Sequence, residues 1–167
     1  SDRMMVSAMI SVTANGVYAV AYKIPTLLST ITTIFNQAWS YSAIREDESE
    51  DKEEYNNRVY DHLVTIVIVV ATGLLMIMKP FLSVYVGKEY YAAWHYVPYL
   101  IVGFVFMTLG SFIATSYTVH KDSMGFLISG TVGAIINLIL NFILIPMMGV
   151  SGAAFATCIS YFGVFVY

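Results

Sequence analysis

From Ser123 to Tyr167 the chain runs through 45 residues without one Asp, Glu, Lys or Arg. Three more stretches share that property: Ile24 to Ile44, Leu63 to Met78, and Ala92 to His120. A helix that crosses a bilayer needs about 20 apolar residues, because the hydrocarbon core is about 30 Å thick and each residue rises about 1.5 Å. Three of the stretches reach that length unaided, and Leu63 to Met78 does so by taking in Val59 and Tyr60 before it and Phe81 to Val86 after it. As a single helix the last stretch would extend about 68 Å, twice the bilayer. It must therefore turn back, and Pro146-Met-Met-Gly149-Val-Ser-Gly152 supplies a proline and two glycines for the turn.

A water-soluble fold is excluded on the same ground. Of the 167 residues 58% are hydrophobic and 11% charged, where soluble domains carry about 25% charged residues. Seven of the eleven acids (Glu46, Asp47, Glu48, Glu50, Asp51, Glu53, Glu54) crowd into one segment. Lipid cannot host them, so the segment fixes a membrane boundary on each side. The expected fold is all-α: a polytopic membrane helix bundle crossing the bilayer four or five times. Its expected parts are a helical stub at 1–12, a turn at Thr13-Ala-Asn-Gly16, helices at 17–44, 59–80, 97–119 and 123–146, and a last helix at 151–167. The expected connections are a solvated acidic loop at 45–58 and a polar turn at His120-Lys121-Asp122. Between Lys79 and Tyr99 the residues Tyr85, Tyr90, Tyr91, Trp94, Tyr96 and Tyr99 form an aromatic belt of the kind found at headgroup level. The chain has no initiator Met or signal peptide and its last helix meets Tyr167 without a cap, so it is expected to be a piece of a longer protein.

Counting Lys and Arg alone orients the bundle. Arg45, Lys52, Arg58 and Lys121 lie on one side, Lys79 and Lys88 on the other, which makes loop 45–58 cytoplasmic. Enzyme chemistry finds no foothold. His62, His95 and His120 sit at the ends of different spans without an HExxH spacing, there is no GxSxG or phosphate-cradling glycine loop, and Cys158 is the single cysteine. No metal, no cofactor and no nucleic-acid partner is expected.

Polar groups inside the apolar spans are more telling, because hydrocarbon penalises them unless they face the bundle interior or a water-filled cavity. Asn36, Gln37 and Trp39 lie two-thirds along the second helix, and Asn137 and Asn141, four apart, share a helix face. The asparagine pair either bonds neighbouring helices or lines a polar cavity. Arg3 and Lys23 bracket the first turn, where they either snorkel to headgroups or face a cavity suited to an anionic, phosphate-bearing substrate. For Lys79 snorkelling is the reading adopted. No Asp or Glu is expected deep in any span; Asp61 sits at a helix start. Ser129 with Gly133, Gly130 with Ala134, and Gly152 with Ala156 have the small-xxx-small spacing of close helix contacts.

Several strings resemble one family. Asp2-Arg3, Asn15-Gly-Val-Tyr-Ala-Val-Ala-Tyr-Lys-Ile-Pro25, Phe35-Asn-Gln-Ala-Trp39 and Ser42-Ala-Ile44 resemble the mid-chain signature of bacterial polysaccharide transporters, the Wzx-like oligosaccharide flippases. The run Ala134 to Thr157 is similar to that family's N-x-x-L-N…I-P…G-x-x-G-A-A-x-A-T pattern. The wider superfamily also holds the MATE exporters and the lipid II flippases. The resemblance implies a MATE-like fold of fourteen helices in two lobes, of which this chain would begin the second, with the first lobe preceding it in the same protein. It implies translocation of an undecaprenyl-diphosphate oligosaccharide across the bacterial cytoplasmic membrane by alternating access. Arg3, Lys23, Gln37, Trp39, Asn137 and Asn141 would be the substrate-pathway candidates, Trp39 stacking on sugar rings. The alternatives are a MATE-type cation-coupled exporter, which needs an intramembrane carboxylate, and a membrane enzyme acting on lipid-linked sugars.

Overall fold

The computed structural model describes residues 2–46, 52–119 and 123–166, and among these the fold is all-helical. The helices are α1 (Asp2–Met9), α2 (Val12–Glu46), α3 (Lys52–Tyr85), α4 (Val97–Val119), α5 (Ser123–Met148) and α6 (Val150–Val166), with a 3-10 helix at Lys88–His95 between α3 and α4. The turn expected at 120–122 and the centre of the acidic loop, 47–51, lie outside the described residues.

Three helices are long and apolar enough to cross a membrane: Glu54–Tyr85, Val97–Ala114 and Leu127–Met148. Helix α6, with 17 residues, is apolar but shorter. Helix α2 has the length, at 35 residues, but Thr26, Ser29, Thr30, Thr32, Thr33, Asn36 and Gln37 dilute its apolar character. The chain is thus a multi-pass helical bundle with three candidate spans among its described residues, fewer than the four or five crossings expected.

Among the boundaries that differ from the sequence expectation, the starts of α2 and α3 differ for local reasons. The chain breaks at Ile10-Ser11 and α2 starts at Val12, so Asn15-Gly16 lies inside the helix. Ser11 Oγ accepts the backbone N–H of Ala14 at 3.0 Å, an N-cap that starts the helix before the Asn-Gly pair can turn it. Gly16 instead leaves room for a neighbour, since a methyl there would stand 3.3 Å from the Tyr90 ring of the 3-10 helix. At the other boundary α3 starts at Lys52, inside the expected loop, and the exposed Arg58 is bonded to the exposed Glu54 at 2.6 Å. The α5–α6 turn falls within the expected segment 146–152: the chain reverses at Gly149, with φ at +62°, while Pro146 remains within α5. Glycine reaches that left-handed conformation without steric cost.

Helix α6 lies between α4 and α5, and α2 packs on α4, α1 and α3. Small residues let these backbones approach. A methyl added at Gly103 of α4 would stand 3.0 Å from Cys158 Cα of α6. At Gly152 it would overlap the Leu144 carbonyl, and at Gly133 the Val164 side chain. Ala153, Ala154 and Ala156 of α6 are fully buried. Across α2 and α4, Thr108 donates to Thr32 at 3.4 Å, both hydroxyls buried. The outward faces of α3 and α5 carry Ile68, Val69, Val84, Leu127, Ile139 and Phe142, all exposed, as a lipid-facing surface does.

Candidate functional site

Asp2 of α1 is buried within the bundle, with 8% of its surface exposed. The sequence did not single it out as a site residue, because the partners that enclose it stand far along the chain. Thr157 of α6 donates its hydroxyl to Asp2 Oδ2 at 2.5 Å, and Tyr22 of α2 donates to the same oxygen at 3.1 Å. Asn141 of α5 donates through Nδ2 to Asp2 Oδ1 at 3.4 Å. Four helices therefore meet on one carboxylate.

Local structure aims these groups. Asn137 and Asn141, one turn apart, join through Asn141 Nδ2, which donates to the Asn137 backbone carbonyl at 2.9 Å and to its Oδ1 at 3.1 Å. Asn141 is fully buried, and its own Oδ1 has no hydrogen-bond partner. Thr157 Oγ1 also lies 3.0 Å from the Ala153 carbonyl, the alternative acceptor for its single proton. Tyr18, fully buried, meets the Tyr22 ring edge-on with centroids 5.1 Å apart, and its hydroxyl too has no hydrogen-bond partner. Tyr22 in turn meets Phe104, and Phe104 meets Tyr161, each pair edge-on with centroids 5.9 Å apart. This aromatic wall fixes where the phenol points.

The oxygens that converge here are the Asp2 carboxylate and the Tyr22 and Thr157 hydroxyls, with Asn137 Oδ1 joined to them through the Asn141 amide N–H. That set suits a hard cation and not a soft transition metal. A cavity of about 480 Å³ opens beside it, lined by Asp2, Tyr22, Asn137, Thr157, Ser160 and Tyr161 together with small residues of α4 and α5.

The other expected site residues lie elsewhere. Arg3 is exposed on a recess with Ser7 and Asn15. It follows Asp2 directly, and successive helix positions point about 100° apart, which sends the cation outward and the carboxylate inward. Lys23 and Gln37 are exposed on α2. Trp39 is 6% exposed, and its ring lies against Phe112 with centroids 4.2 Å apart, so it packs α2 on α4. Asn36 Nδ2 donates to Ser111 Oγ of α4 at 3.2 Å. Lys79 Nζ sits 4.1 Å from the centre of the Trp94 ring, a cation–π contact within the aromatic belt. Of the expected residues, then, only Asn137 and Asn141 stand at the carboxylate. Asp2, Tyr22 and Thr157 were not singled out as site residues in the sequence; Thr157 is one of four hydroxyl side chains of α6, with Ser151, Ser160 and Tyr161, and nothing along the chain sets it apart.

Compared with family models, with characterised proteins and with solved structures, the chain matches none.

Proposed function

We propose that the chain belongs to a secondary transporter that moves lipid-linked oligosaccharides across the bacterial cytoplasmic membrane, driven by a monovalent cation held at Asp2. The observation that carries the coupling is the convergence of α1, α2, α5 and α6 on the Asp2 carboxylate through Tyr22, Asn141 and Thr157. A buried acid is costly in a membrane bundle and is retained where it relays ions or protons. One cation bound among oxygens from four helices draws them together, and so biases the two states of an alternating-access cycle. The substrate class rests on the family resemblance. In this reading α2 and α6 also cross the bilayer, the 45–58 segment is cytoplasmic, and a preceding lobe of the same protein closes the central cavity. Arg3, Lys23 and Gln37, exposed on α1 and α2, then face the sugar diphosphate.

A second reading, a MATE-type exporter of small molecules, draws on the same observation, with Asp2 as the intramembrane carboxylate that reading requires. One experiment separates the two. In proteoliposomes of the full-length protein, a Na⁺ or proton gradient should accelerate flipping of a fluorescent undecaprenyl-diphosphate oligosaccharide, and Asp2→Asn should remove the acceleration. Flipping at the same rate with and without either gradient would sink the coupling. Gradient-driven efflux of a cationic dye with no flipping would favour the exporter.

A further inference from the structure

A carboxylate enclosed by four helices exchanges its ion only along a course that water can enter. The cavity of about 480 Å³ starts at Asp2 and Thr157 and runs between α4, α5 and α6. A second cavity, of about 220 Å³, shares Gly110, Ala114, Ser129 and Val164 with the first and continues to Phe165 and Val166 in the last turn of α6. Together they make one course from the buried carboxylate toward the end of the bundle where α4 stops and α5 starts.

Its walls are mostly apolar, and it opens at Gly130, an exposed residue where an added methyl would meet nothing within 4 Å. Ser129, Asn137 and Ser160 bring side-chain oxygens to its length. Ser160 donates its proton to the Ala156 carbonyl at 2.6 Å, so its hydroxyl oxygen remains an acceptor for a passing cation. Val164 lines both cavities, and its side chain lies over Gly133 so closely that a methyl there would overlap it.

We propose that this course is the entry path of the coupling cation, running between α4, α5 and α6 to Asp2 with Val164 over Gly133 as its narrow point. It rests on the reading of Asp2 as a cation site. Its oxygens replace part of the hydration shell in steps, as in other ion pathways, and it is separate from the substrate face bearing Arg3 and Lys23.

Thiol labelling tests it. In full-length protein carrying Cys158→Ala, reconstituted in vesicles and treated on both faces, a cationic methanethiosulfonate should modify Ser129→Cys and Ser160→Cys. Both should react at least tenfold faster than Ile139→Cys on the lipid-facing side of α5, and saturating Na⁺ should slow Ser160→Cys severalfold. Val164→Phe should slow the reaction at Ser160→Cys and spare Ser129→Cys. Gradient-driven flipping in the Cys158→Ala protein, lost on Asp2→Asn, reports on the Asp2 reading separately. If that dependence holds while both cysteines react no faster than Ile139→Cys, the path is overturned and the cation site stands. Labelling at Ser160→Cys that ignores Val164→Phe overturns the narrow point.

Discussion

Thr157 donates its hydroxyl to the Asp2 carboxylate at 2.5 Å, joining positions 155 residues apart. The two residues carry a sharp prediction because valine matches threonine in shape but lacks the oxygen. Thr157→Val should leave the bundle folded and raise the half-saturating Na⁺ concentration for transport by about tenfold or more, since a hydrogen bond to a charged group is worth about 1.5–3 kcal/mol and about 1.4 kcal/mol is a factor of ten. Thr157→Ser should stay near the parent. A Val variant with unchanged Na⁺ dependence would remove Thr157 from the site.

Asn141 offers an independent check from a different helix. Asn141→Leu fills the buried volume but removes the donor to Asp2 Oδ1 and to Asn137. Leaving a buried charged group short of a partner costs about 1–3 kcal/mol or more. The variant should melt several degrees lower in detergent, and Asp2→Asn combined with it should recover part of the loss. Purely additive losses in that double-mutant cycle would show that the two residues do not act together.

The cluster marks the limit of reading this chain from its sequence. The charge-free stretches announce the apolar helices, and α4 spans Val97–Val119 as expected. Asn137 and Asn141 were visible as a pair because helix spacing alone puts them on one face. Asp2 was not, because its burial depends on Asn141 and Thr157, 139 and 155 residues away, and no window along the chain spans that distance. The Asn15-Gly16 dipeptide misled for the opposite reason: a strong local turn signal yielded to the Ser11 cap and to the close seat of Tyr90 on Gly16. The helical start at Lys52 was not legible in the acidic segment, since charge alone does not separate a loop from the projecting end of a helix.

Trp39 separates packing from sugar stacking. Its ring is buried against Phe112, which also meets Tyr60 with centroids 5.3 Å apart. Trp39→Ala should lower thermal stability by about 3 kcal/mol, the low end for deleting a large aromatic from a core. Trp39→Phe should restore most of it, together with transport. A Phe variant that is stable but fails to flip oligosaccharide would return the indole to the substrate.

Two glycine-to-alanine changes should act in opposite directions, because the same methyl meets different surroundings. At Gly152 the methyl collides with the Leu144 carbonyl on the other arm of the α5–α6 hairpin. Backbone cannot rotate aside as a side-chain tip can, so the hairpin must open, and overpacking of this kind costs about 1–3 kcal/mol. At Gly73, within α3, the methyl meets nothing within 4 Å, and alanine is favoured over glycine inside a helix by about 1 kcal/mol. Thermal melts in detergent should therefore fall for Gly152→Ala and hold or rise for Gly73→Ala. The fall at Gly152 should bring a loss of Na⁺-dependent transport, because opening the hairpin separates Asn141 on one arm from Thr157 on the other. A Gly152→Ala protein that melts like the parent and keeps its Na⁺ dependence would mean that the close seat of α6 on α5 does not hold the carboxylate site together.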